Sequence, residues 1–170
     1  MAKKADNKKI IFLVALVFGV AAILMNLLPA ITFKGTLGGI QATASFNGFH
    51  LMFGADDVPA KADVAGIVSF NSKVSTKLVV TSLIAGILIV VGVVAALLVK
   101  IVNKKQQFIV KVVAAAALIA AAVLTIAFTK GTFISANELG DGAKEYYKLG
   151  IGAILSGAFA CVAGVGVLAA

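Results

Sequence analysis

Few side chains in this chain are of the kinds that do chemistry, and their spacing assembles none of the common reaction centres. The only histidine, His50, lies in Phe49-His50-Leu51-Met52-Phe53. Alternation there reads as a strand and places His50 opposite the phenylalanines, as a surface or hydrogen-bonded residue rather than a ligand. Cys161, the only cysteine, falls in an apolar run and reads as a small packing residue. One Cys and one His make neither an internal disulfide nor a Cys/His metal set. Asp56, Asp57 and Asp63 lack the ligand spacing of a calcium loop, and Glu138, Asp141 and Glu145 read as a solvated turn. Gly38-Gly39 is followed by neither Lys-Ser/Thr nor a helical pattern, so it reads as a turn and not a phosphate loop. No nucleophile, base and orienting group fall together. The expectation is a protein that is not an enzyme and carries no cofactor and no metal.

The elements available to hold a site are set by composition. The 170 residues are 61% hydrophobic and 13% charged, with a mean hydropathy of +1.09. A soluble domain of this size needs a polar shell that such a chain cannot supply, so an integral membrane protein follows. Four apolar runs, 10–29, 78–99, 108–128 and 149–170, match the ~20 residues that cross ~30 Å of hydrocarbon. The first run exceeds the ~7–15 residues of a signal-peptide core and reads as an uncleaved span. Segments 1–9, 30–77, 100–107 and 129–148 lie between and before them.

All basic residues are lysine, and the net charge is +8. Lys3, Lys4, Lys8, Lys9, Lys100, Lys104, Lys105 and Lys111 cluster at one end of the spans against Asp6 alone, whereas the lysines of 30–77 and 129–148 are balanced by six acids. This asymmetry predicts cytoplasmic termini and places 30–77 and 129–148 outside a plasma membrane. With no arginine and no basic, aromatic-studded face, nucleic acid is not an expected partner.

Within the spans no ionisable group sits at mid-depth. Lys111, one turn from the surface, snorkels back to water, and Asn26, Thr81, Ser82, Thr125 and Ser156 fall mostly near the outer ends. The spans are rich instead in small residues at helical spacing: Gly152, Ser156, Ala160 and Gly164 on the last, Ser82 and Gly86 on the second. Small residues let backbones approach closely in lipid, so these six are the candidates for helix packing, within one bundle or against a second copy.

The 30–77 loop carries strand patterning. Ile31-Thr32-Phe33-Lys34 alternates, as do Ile40, Ala42, Ala44 and Phe46 with the polar residues between them. A switch of parity across Asn47-Gly48 reads as a hairpin turn or bulge. Gly54–Pro59 reads as a turn, Thr132-Phe133-Ile134-Ser135 as a further strand, and for 64–77 a strand and a helical end both stay open. A small antiparallel sheet above the bundle is expected. The aromatics Phe33, Phe46, Phe49, Phe53, Phe70, Phe133, Tyr146 and Tyr147 all lie in these segments. Part of the set must fill the sheet core, and Tyr146-Tyr147 beside Lys148 reads as an interfacial anchor. Phe46, Phe49, Phe53 and Phe133 are the candidates for extracellular contact.

The order of elements, with Phe46-Asn47-Gly48-Phe49-His50-Leu51 in the first outer loop, resembles the claudin and peripheral-myelin-protein family, whose Trp…Gly-Leu-Trp motif stands at that place. The resemblance implies a membrane all-α four-helix bundle with a small extracellular antiparallel β-sheet. Tryptophan is absent and the loop has no cysteine, so the family's loop disulfide has no counterpart. The functional expectation is a structural or interaction protein in the lipid bilayer, its β-lobe contacting a membrane-protein partner, another copy as a homo-oligomer, or an envelope component. The alternative is a subunit of an oligomeric channel or transporter.

Overall fold

The computed structural model describes residues 2–37, 39–64, 66 and 68–170. Helix α1 (Ala2–Leu24) starts inside the lysine-rich segment, since nothing between there and Leu24 interrupts helical hydrogen bonding. It tightens into a 3-10 turn at Met25–Leu27, and strand β1 (Pro29–Leu37) begins at the proline that cannot donate to another helical turn. Then follow β2 (Ile40–Asn47), a short α2 (Gly48–Phe53), β3 (Ala55–Val64) and β4 (Val68–Thr76). Helices α3 (Val80–Leu98) and α4 (Lys104–Val123) form a hairpin. A π-helical turn, Leu124–Phe128, joins α4 to α5 (Thr129–Ala136), and β5 (Tyr147–Leu149) leads into α6 (Ile151–Ala169).

Four helices are long and apolar enough to cross a membrane: Asn7–Leu27, Val80–Leu98, Lys104–Ala136 and Ile151–Ala169. The third is 33 residues long, ~50 Å at 1.5 Å per residue, and so overshoots a hydrocarbon core of ~30 Å. The bundle interior is built largely from alanine (Ala22, Ala121, Ala122, Ala160, Ala163) around Ile89, Val93 and Leu118. α6 packs against α1 and α4, α3 against α4, and the α1–α3 seam is the more open one. One polar latch lies in the α1–α6 contact. Asn26 Nδ2 donates to Ala22 O at 3.1 Å and to Ser156 Oγ at 3.3 Å, and Ser156 Oγ donates to Ala22 O at 2.8 Å. Such interhelical bonds contribute about 0.6 kcal/mol each, enough to fix register rather than to drive association.

The sheet is antiparallel, in the order β4-β3-β2-β1-β5. The registers Ile31↔Phe46, Phe33↔Ala44, Gly35↔Ala42, Ala44↔Ala60, Ala42↔Ala62, Val58↔Val74 and Ala62↔Phe70 put the apolar residues of four strands on one face. Thr32, Lys34, Gln41, Thr43, Ser45, Lys61, Asp63, Asn71 and Lys73 take the other by the same pairing.

Several local expectations are corrected. Thr132–Ser135 is not a strand but part of α5: no breaker stops the helix arriving from α4, and Phe133 and Ile134 are both buried on its inward side. The fifth strand is Tyr147–Leu149. The parity switch at Asn47-Gly48 marks a helix start, with Asn47 Oδ1 accepting from His50 N–H at 2.8 Å as an N-cap. His50 is therefore helical rather than in a strand. Gly54 does turn the chain (φ 76°), but 55–59 belongs to β3. Pro59 is tolerated there because the β2–β3 ladder ends at Ala44↔Ala60, one residue short of it. Of the 64–77 segment, Val64 ends β3 and Val68–Thr76 is the strand β4 with no helical end, while Ala65 and Ile67 lie outside the described residues. The expected turn at Gly38-Gly39 is seen at Gly39 (φ 84°), and Gly38 lies outside the described residues.

Candidate interaction surface

The apolar face of the sheet is only half covered. Near the bundle, Ile31, Phe46, Leu51, Val58, Val79, Phe133 and Ile134 form one buried cluster with Ala30, Ala44, Ala60 and Ala153. Its centre is aromatic: the Phe133 ring lies 5.2 Å from that of Phe46 and 5.2 Å from that of Tyr147, and Phe33 lies 4.9 Å from Tyr147. The α5 extension thus acts as the post on which the sheet rests.

Farther along the same strands the face runs out of cover. Ile40, Val68 and Phe70 are 42%, 47% and 57% exposed, although strand parity aligns them with the buried residues. Between this overhang and the end of α5 lies a groove of about 410 Å³. Ala42, Ala44, Ala60 and Ala62 lie along its floor, Phe133 and Tyr147 flank it, and Lys77 and Asn137 supply polar groups. Small floor residues in place of the usual Val or Ile leave that volume open. β4 lies at the end of the strand order, its outer backbone edge without a ladder partner among the described residues. Residues 68–73 of β4 are all exposed. Lys73 pairs with Asp57 at 2.9 Å across β3–β4, an exposed pair worth little to stability.

The rim is fixed by the segment after α5. Asn137 Oδ1 accepts from Lys77 N–H at 2.9 Å, and its Nδ2 donates to Phe133 O at 2.9 Å and Thr76 Oγ1 at 3.3 Å, tying the ends of β4 and α5 together. Lys77 Nζ also meets Glu138 Oε1 at 2.5 Å. The hydrogen bond from Lys77, and then its charge, hold Glu138 below the usual carboxylate range.

Burial pushes the Tyr147 phenol up from its ordinary value of 10.0. A raised folded-state pKa means that stability is fully present below the unfolded value and is lost as pH rises through the folded one. Alkaline titration of tyrosine absorbance is therefore expected to show a late phase in the wild type that Tyr147→Phe lacks. Persistence of that phase in the variant would contradict the burial of Tyr147.

The residues singled out from the sequence divide in three. Phe46 and Phe133, expected as contact residues, are 3% and 1% exposed; they form the joint between sheet and helix, so they are corrected to core. Phe53 (69% exposed) and the half-buried Phe49 project from α2 over the α1–α3 seam. Of the small residues, Ser82, Gly152, Ser156, Ala160 and Gly164 are buried between helices, and Gly86 faces the Met52 side chain. Cys161 is exposed on the outer surface of α6. His50 Nδ1 is buried without a hydrogen-bond partner among the described residues. No group of three or more His, Cys, Asp or Glu among the described residues is placed to hold a metal ion.

The overhang itself was missed in the sequence. Its signal was the unbroken phase Val68, Phe70, Ser72, Val74, which pairs residue for residue with Val64, Ala62, Ala60 and Val58, the register shifting only beyond, where Thr76 meets Ala55.

No protein-family model matches the chain, and no curated protein matches it.

Proposed function

We propose that the chain is a non-enzymatic membrane interaction protein whose sheet docks an apolar, strand-forming segment of another protein. In this reading the bundle sits in the plasma membrane with cytoplasmic termini and the sheet outside, an architecture of claudin type. The asymmetric placement of lysines supports the orientation. The observation that carries the function is the uncovered half of the apolar face beside a β4 edge that has no ladder partner among the described residues. Exposed edges and large apolar patches are costly to keep on a protein surface and are characteristic of sites that pair with another chain.

A photo-crosslinking residue placed at Phe70 or Ile40 in intact membranes tests this. Adducts are expected from both positions, and none from Lys34 or Gln41 on the polar face. The adduct mass then distinguishes a second copy from a different protein. Equal labelling from the two faces, or none from Phe70 and Ile40, overturns the reading.

A further inference from the structure

At the end of the bundle opposite the sheet, α1, the α3–α4 turn, the first turns of α4 and the end of α6 line an open cavity of about 180 Å³. Its lining includes Lys8, Lys9, Phe12, Lys100, Lys111 and Ala170, and no Asp or Glu side chain among the described residues. Lys100 Nζ lies 5.1 Å above the Phe12 ring. Among the described residues, none of the four lysines joins an ion pair, the two pairs present being Lys73–Asp57 and Lys77–Glu138. Four like charges drawn from three segments repel one another around the cavity, and an anion within it reverses the sign of each interaction. The cavity lies where the apolar run of α1 begins at Ile10 and that of α3 ends at Val99, which is headgroup depth for a helix crossing a bilayer. Phe12 and Val99 give it an apolar wall, suited to the glycerol and first methylenes that follow a lipid phosphate.

We propose that this cavity binds the phosphate of an anionic membrane lipid. The recognised chemistry is a phosphate-bearing anion, and the apolar wall commits the site to the lipid rather than to free phosphate. The full chain, purified in neutral detergent, is incubated with phosphatidylglycerol or with phosphatidylcholine at equal concentration, and lipid retention is read by native mass spectrometry. The wild type is expected to retain one phosphatidylglycerol and to discriminate against phosphatidylcholine. The double variant Lys9→Gln/Lys111→Gln is expected to lower that retention about tenfold. Lys104→Gln/Lys105→Gln removes the same charge from exposed residues outside the cavity lining and is expected to change retention less than about threefold. Equal losses in the two variants would reduce the effect to diffuse surface charge and overturn the site. Equal retention of phosphatidylcholine overturns it too. So does binding of inorganic phosphate, tested in a separate arm, without retention of phosphatidylglycerol.

Discussion

Replacing Phe133 with alanine is expected to release the sheet from the bundle while the four long helices stay folded. Phe133 is 1% exposed and its ring meets both Phe46 and Tyr147 at 5.2 Å, so truncation removes the centre of the joint rather than one wall of it. Phe→Ala changes in closed cores cost about 3–5 kcal/mol, from lost transfer energy plus the cavity left behind. Little of that loss falls on the transmembrane packing, whose buried cluster of Ala22, Ile89, Leu118 and Ala160 is separate. Amide hydrogen exchange is expected to speed up in β1, β2 and β3 with the helical circular dichroism nearly unchanged. Phe133→Leu, which keeps most of the volume, is expected to cost less than about 1.5 kcal/mol. Sheet amides as protected in Phe133→Ala as in the wild type would mean that the joint lies elsewhere.

Gly152→Leu is expected to be the most damaging change within the bundle. A Cβ at 152 would stand 2.5 Å from Leu28 O and 2.9 Å from Met25 O, both backbone atoms of the 3-10 turn and its cap just beyond α1 that no side-chain rotation can move aside. Making room means withdrawing α6 from α1 and breaking the Asn26–Ser156 latch. The expected cost is about 3 kcal/mol or more, at the upper end of overpacking effects. Gly131→Ala is the natural control, because a Cβ there would meet nothing within 4 Å and the position is helical. There, alanine is expected to stabilise by about 0.5–1 kcal/mol. Unfolding midpoints in mixed micelles read both. A Gly152→Leu protein within about 0.5 kcal/mol of the wild type would show that α1 and α6 do not approach as described.

How much of this was legible in the sequence depended on the range over which each signal acts. The spans were readable because about twenty apolar residues in a row have one physical use. β1 and β2 were readable because Ile31, Phe33 and Ile40–Phe46 alternate cleanly. Where two periods fit the same residues, local reading failed. Thr132, Phe133 and Ile134 suit a strand by β-propensity and a helix by the adjacency of two apolar residues, and the continuity of the helix from Lys104 decided for the helix. Asn47-Gly48 suits a hairpin and equally an N-cap, and the capping bond to His50 decided there. Both errors touched the site, since they hid the post that buries Phe133 and the helix that carries Phe49 and Phe53. The overhang was beyond any local reading. Phe70 is apolar in an apolar phase, and only the distance of its strand end from the bundle leaves it uncovered.

The π-helical turn at Leu124–Phe128 has a bearing on everything downstream of it. It adds one residue to the ladder. One residue is worth about 100° of azimuth around a helix axis. Without the wide turn, Phe133 and Asn137 would point roughly a quarter-turn away from the strands they hold. The lipid-facing part of this helix and its sheet-bearing part are thus set in separate phases. A one-residue insertion or deletion between Lys104 and Thr129 is a rotation error rather than a length error, and it would appear as a misaimed sheet on an otherwise sound bundle.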